Sequence, residues 1–150
     1  MDQKKIDEII DRYPPDAGLL IQALLEIQRE YRWLPEEALE KVGDKLQAPA
    51  NRIRQIVTFY KAFSLMPKGR HEINVCTGTA CHVRGAPRII DAVREATGIG
   101  PGETDTELKF TLETVNCVGC CALGPVIVID GEYHGKMVPS KTEDVLKKYK

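Results

Sequence analysis

The sequence predicts an α+β protein in two parts: a small N-terminal helical bundle over residues 1–68, then a domain of mixed strands and helices over 69–150. Three observations predict it. Apolar residues recur at three- and four-residue steps through the first part, as on the buried face of a helix. Two-residue alternation begins only after position 70, as in a half-buried strand. Between the two patterns Met66-Pro67-Lys68-Gly69 reads as a turn-like break.

In the first part, a short helix is expected from about Lys4 to Asp11, ending before Pro14-Pro15. Asp16 is placed to cap a second helix, with Leu20, Leu24, Ile27 and Tyr31 on one face. Trp33-Leu34-Pro35 closes it, and Pro35 opens a third, from Glu36 to about Leu46. Ala38, Leu39, Val42 and Leu46 form its apolar face, and its early glutamates suit the positive end of the helix dipole. Asn51 is read as the cap of a fourth helix carrying Ile53, Ile56, Val57 and Tyr60. Four short helices with short connections make a small bundle with little core of its own.

Beyond the break, Ile73 and Val75 mark a strand running into Cys76. Pro87 starts a helix with Ile89, Ile90 and Val93, ending near Gly98, and Gly100-Pro101-Gly102 is a loop. Leu108, Phe110 and Leu112 alternate as a second strand, and a loop with three cysteines follows. Val126–Ile129 is a continuous apolar run, the mark of a buried strand. Asp130-Gly131 signals a hairpin returning through Tyr133. Ser140 is read as the cap of a last helix with Val145 and Leu146, and Lys147, Lys148 and Lys150 at its C-terminal end. The order β-α-β-β-α is that of a thioredoxin-like domain.

Composition narrows the function classes. Of 150 residues 43% are hydrophobic and 29% charged, with a net charge of -1, so disorder is not expected. Up to Arg70 the chain has 12 basic and 11 acidic residues, and after it 9 and 11; neither part looks like a nucleic-acid binder. No apolar run approaches a membrane span, and Met1-Asp-Gln-Lys-Lys5 lacks the apolar core of a signal peptide. A soluble, cytoplasmic chain without direct membrane insertion is expected. Gly98-Ile-Gly-Pro-Gly102 follows a helix and precedes no obvious one, so it is no dinucleotide fingerprint.

All five cysteines lie between positions 76 and 121. An odd number in a chain without an export signal argues for metal binding or redox chemistry over a disulfide framework. Cys76 and Cys81 are separated by four residues; Cys117 pairs either with Cys120 across two or with Cys121 across three. Each group follows a predicted strand, in a loop with Gly78 or Gly119, so the loops at one end of a sheet can bring four sulfurs together. Four thiolates suit a soft metal centre. The two-plus-two division favours a dinuclear iron–sulfur cluster and leaves structural zinc open.

Thr58-Phe59-Tyr60, Val75-Cys76-Thr77-Gly78-Thr79-Ala80-Cys81-His82-Val83-Arg84-Gly85-Ala86 and Cys117-Val118-Gly119-Cys120-Cys121-Ala122-Leu123-Gly124-Pro125 together resemble the thioredoxin-like [2Fe-2S] ferredoxin family. That family supplies the 24 kDa-type (E-type) subunit of NADH:quinone oxidoreductase and the small subunits of NAD(P)-linked, including electron-bifurcating, hydrogenases and of formate dehydrogenases. The resemblance runs from about Pro15 to Ile129 and includes Tyr31-Arg-Trp-Leu-Pro35. It implies one [2Fe-2S] cluster with Cys76, Cys81, Cys117 and Cys121 as ligands. It implies an electron-transfer subunit without a catalytic residue or substrate site of its own. FMN and NAD(P)H are then expected only on a flavoprotein partner subunit, against which the helical bundle docks. The adjacent Cys120-Cys121 before Ala-Leu-Gly-Pro resembles the hydrogenase-linked branch more closely.

Several residues have plainer readings. Cys120 is a small partly buried thiol, an alternative ligand in place of Cys121, or half of a Cys117/Cys120 dithiol. His82 and His134 are read as polar surface or supporting residues, since four cysteines are already available. Thr77, Thr79 and Asn116 either donate toward sulfur or structure their loops. Phe59, Tyr60 and Trp33 are read as helical core or subunit contact. The rival functions are a structural zinc interaction module and a thiol-disulfide oxidoreductase.

Overall fold

The computed structural model describes residues 3–149, so Lys150 lies outside the described residues. The chain divides into two compact units, Met1–Pro67 and Lys68–Lys150.

The first unit contains α1 (Gln3–Asp11), α2 (Leu20–Tyr31), α3 (Glu36–Leu46) and α4 (Ala50–Phe59). Its core joins Ile6 from α1 to the predicted Leu20, Leu24 and Ile27 from α2, Ala38, Val42 and Leu46 from α3, and Ile53 and Val57 from α4, while the predicted Tyr31, Leu39 and Ile56 are only partly buried against it. Asp16 acts one turn early. Its carboxylate accepts from the Gly18 N–H at 2.8 Å and caps a 3-10 turn, Ala17–Leu19, that leads into α2. Arg32 ends α2 in the left-handed conformation. Pro35 is the residue before α3 and not its first helical position.

Two expectations for α4 are corrected. The helix begins at Ala50 with Pro49 before it, so Asn51 lies inside, where its Oδ1 accepts from Arg52 N–H. Tyr60 follows the helix in extended conformation and is exposed, as is Phe59, so neither is core. Their rings meet edge to face, 5.1 Å apart. Among the described residues no helix is long and apolar enough to cross a membrane.

The second unit is a five-stranded sheet with helices. Its elements are β1 (His71–Cys76), α5 (Thr79–Val83), α6 (Ala86–Thr97), β2 (Glu103–Thr104), β3 (Phe110–Val115), β4 (Ile127–Ile129), β5 (Glu132–His134) and α7 (Pro139–Leu146). The strand order is β2-β3-β1-β4-β5. β1 and β3 run parallel, with His71 opposite Phe110 and Cys76 opposite Val115; the other pairs are antiparallel. Ile73, Val75, Leu112, Ile127 and Ile129 pack with Ile89 and Val93 of α6 and with Val145 and Leu146 of α7. β4 is buried at every position, as its unbroken apolar run predicts. Asp130 and Gly131 both take positive φ at the β4–β5 turn, which matches the twist of a two-residue hairpin.

Three more sequence expectations are corrected here. Leu108 is exposed with positive φ, and the strand starts only at Phe110. Ser140 does not cap α7, because Pro139 already occupies its first turn, with Val138 before it. Pro there gives up no hydrogen bond, since a helix's first N–H groups have no internal acceptor. Cys81 lies in the short helix α5 and not in an open loop.

Candidate metal centre

Parallel strands end at the same edge of a sheet. Because β1 and β3 are adjacent and parallel, the chain leaves both at one place: directly at Cys76 from β1, and two residues before Cys117 from β3. That is how motifs 35 residues apart in the chain meet. Two contacts lock the loops together. Thr77 N–H and its hydroxyl both donate to the Val115 carbonyl, at 2.8 and 3.1 Å, so this threonine structures the loop. Gly78 lies against the Asn116 carbonyl, which a Cβ at position 78 would meet at 2.6 Å.

The four predicted ligand residues are mutual neighbours across the two loops. The Cys76 side chain interacts with those of Cys81 and Cys117, and Cys117 with that of Cys121. Cys76 and Cys81 are buried on a small apolar cluster with Ala86, Val126 and Val128; Cys117 and Cys121 are exposed. All five cysteines are free thiols. Cys120 is half-buried against the same apolar cluster and precedes a 3-10 turn, Cys121–Leu123. Among the described residues, no group of three or more His, Cys, Asp or Glu side chains is arranged to hold a metal ion as it stands.

Burial and the backbone oppose each other at these thiols. Burial pushes the Cys76 thiol up, but N–H groups of Val118 and Gly78, with the Cys81 and Cys117 side chains, outweigh it, and the net direction is down. The Cys81 thiol is pushed up by burial first and by Cys76 second, with Val126 N–H acting against both. The Cys121 thiol is raised by its hydrogen bond to Cys117 and by the Cys117 charge. Gly119 N–H donates to Cys117 Sγ at 3.3 Å. Cys76, Cys81 and Cys117 thus all have backbone N–H groups turned to them, the usual support for anionic sulfur at a metal.

The histidines stand apart from this chemistry. His82 is exposed at the end of α5. His134 Nε2 lies 2.9 Å from the Tyr149 hydroxyl. Sequence reasoning did not single out Arg84, whose guanidinium donates to the Cys121 carbonyl at 2.6 Å. The available signal was its standing as the one charged side chain in segments 76–86 and 115–126.

A thioredoxin-like sheet with four soft donors gathered at one edge defines a class of small iron–sulfur protein. The comparison with known families agrees: residues 6–150 match the thioredoxin-like [2Fe-2S] ferredoxin family, and the chain belongs to it. Its cofactor is accordingly a [2Fe-2S] cluster, and the donor set and N–H groups described above fit one. The HndA subunit of the NADP-reducing hydrogenase of Solidesulfovibrio fructosivorans is 32% identical over 146 residues, covering 97% of this chain and 85% of the relative. The E-type subunit of the NADH-quinone oxidoreductase of Rickettsia bellii (strain RML369-C) is 35% identical over 145 residues, covering 95% and 87%. Both relatives are subunits of oxidoreductase complexes. Among solved structures, an NAD+-reducing [NiFe]-hydrogenase in the air-oxidized state matches with a TM-score of 0.75 at 20% identity, a likeness of fold. The match covers 90% of this chain but 23% of the solved one, so this chain spans about a quarter of it.

Proposed function

We propose that this chain is an electron-transfer subunit, with Cys76, Cys81, Cys117 and Cys121 as the ligands of its [2Fe-2S] cluster and Cys120 left free. The observation supporting this most directly is the parallel β1–β3 pairing, which delivers both cysteine motifs to one edge of the sheet. The bound cluster supplies one-electron valence change. The chain's own residues do the rest. Ala86, Val126 and Val128 keep water from the Cys76 and Cys81 side, and the N–H groups of Gly78, Val118, Val126 and Gly119 stabilise negative charge on sulfur. Exposed Cys117 and Cys121 leave the opposite side open to exchange with a partner.

That partner is proposed to be an FMN- and NAD(H)-binding flavoprotein in the cytoplasm, with the helical unit as its docking element. The chain then has no hydride chemistry of its own, because a single dinuclear cluster normally moves one electron at a time.

The test is spectroscopic. Purified anaerobically, the chain should be red-brown, contain iron and sulfide at one [2Fe-2S] cluster per chain, and give the paramagnetic signal of one reduced dinuclear centre. It should not oxidise NADH with an artificial dye as acceptor until the flavoprotein is added. A colourless zinc protein, or a metal-free dithiol, would overturn the ligation; steady NADH turnover by the chain alone would overturn the carrier role.

A further inference from the structure

Arg84 stands where the two cysteine loops meet. It ends α5, three residues after Cys81, and its Nη1 donates to the carbonyl of Cys121 on the other loop at 2.6 Å. The backbone of Gly124 marks the same point. A Cβ built there would lie 3.0 Å from Cys81 Sγ, 3.3 Å from the Cys121 carbonyl and 3.6 Å from Arg84 Nη1. Guanidinium and sulfur are therefore well within the Debye length, about 10 Å at 0.1 M salt. No other formally charged residue occurs in segments 76–86 and 115–126, so nothing in either loop offsets this cation.

Two physical effects follow from one side chain. A charge-assisted hydrogen bond to a carbonyl is stronger than a neutral one and fixes the backbone that presents Cys121. A permanent positive charge beside a thiolate-ligated centre favours the form with one more electron, and arginine keeps that charge at every accessible pH. We infer that Arg84 is a positioning residue that braces the two cysteine loops against each other and makes the centre easier to reduce. The inference rests on the ligation proposed above.

The test uses the full chain, anaerobically loaded with its cluster, as wild type, Arg84→Gln, Arg84→Lys and Arg88→Gln. Arg88 is an exposed residue of α6 and serves as the charge-loss control. Each protein is titrated to its midpoint potential by the reduced-cluster paramagnetic signal at low and high salt, and the rate of iron loss to a chelator is recorded. In Arg84→Gln the ratio of reduced to oxidised protein at a fixed applied potential should fall about tenfold, which for one electron is about 59 mV. The difference should shrink toward 1 M salt, where the screening length is about 3 Å. Arg84→Lys should recover most of the ratio yet lose iron faster than wild type, because lysine keeps the charge without the planar fork. Arg88→Gln should behave as wild type.

A ratio in Arg84→Gln within about twofold of wild type, or no recovery in Arg84→Lys, would overturn the inference. So would loss of the cluster from both variants with native circular dichroism, since that would assign Arg84 to assembly alone. Absence of a cluster from the wild type would overturn the ligation itself.

Discussion

Gly78 and Asn116 hold the two cysteine loops at backbone distance: a methyl group at position 78 would stand 2.6 Å from the Asn116 carbonyl oxygen, and 3.3 Å from Cys117 Cβ. The obstacle is backbone, which cannot rotate away as a side-chain end could. Gly78→Ala should therefore push the loops apart. Overpacking of this kind costs about 1–3 kcal/mol, measurable by chemical denaturation of the metal-free protein. Iron content after loading should fall well below wild type, and full loading would show that the loops can meet without this contact.

The cysteines should fall into two groups. Alanine at 76, 81, 117 or 121 should remove the cluster or leave it labile, each residue being a proposed ligand. Serine at 120 should leave an intact absorption spectrum, because Cys120 is proposed to be no ligand and packs, half-buried, against the apolar cluster. Iron lost on changing Cys120 but kept on changing Cys121 would exchange the two assignments.

Separate cores should fail separately. Ile27 is fully buried among the helices of the first unit, and Leu112 is fully buried in the sheet of the second. Truncation of either to alanine should cost about 2–5 kcal/mol. Ile27→Ala should leave the iron content of the loaded protein unchanged, whereas Leu112→Ala should lower it, since Leu112 lies on β3, the strand that leads to Cys117. Thermal unfolding followed by circular dichroism, with iron assayed in parallel, distinguishes them.

Tyr149 supplies an alkaline prediction. Burial first, then its hydrogen bond to the Glu132 carboxylate at 2.6 Å, push the hydroxyl up to about 12. Because that hydroxyl donates to Glu132, its lone pairs face His134 Nε2, which acts as the donor. A tyrosine pKa raised in the fold stabilises the protein fully below the ordinary value of about 10. The contribution disappears as pH rises through about 12. Tyr149→Phe should lower stability by about 0.5–1.5 kcal/mol at neutral pH and abolish this alkaline loss. Denaturation midpoints on either side of pH 10, with phenolate absorbance, give the check; equal alkaline loss in both proteins would remove Tyr149 as its source.

Much of this architecture was legible because it depends on local rules. Steps of three and four at Leu20, Leu24 and Ile27 can only bury one helical face, and Asp130-Gly131 suits a turn with positive φ at both positions. The meeting of the cysteine motifs was legible only as a possibility, since it depends on β1 and β3 being neighbours in the sheet. What the sequence misplaced were ends and exceptions. Pro49 and Pro139 start their helices earlier than the polar residues Asn51 and Ser140 would. Leu108 continues the alternation of β3 but sits in a turn, where Asp105 holds the backbone N–H groups of Lys109 and Phe110. Arg84 carries the one charge in the two cysteine segments, but its contact was not legible, because its partner is a carbonyl 37 residues away.

The two outermost strands of the sheet are short: Glu103–Thr104 at one side, Glu132–His134 at the other. A long, flat, apolar edge invites another chain to add a strand through its free N–H and C=O groups, and with it uncontrolled association. Borders of two and three residues, each beginning with a glutamate, offer such a chain almost no template. Such short borders disfavour growth by strand addition and leave association to favour side chains, where surface chemistry can discriminate between partners.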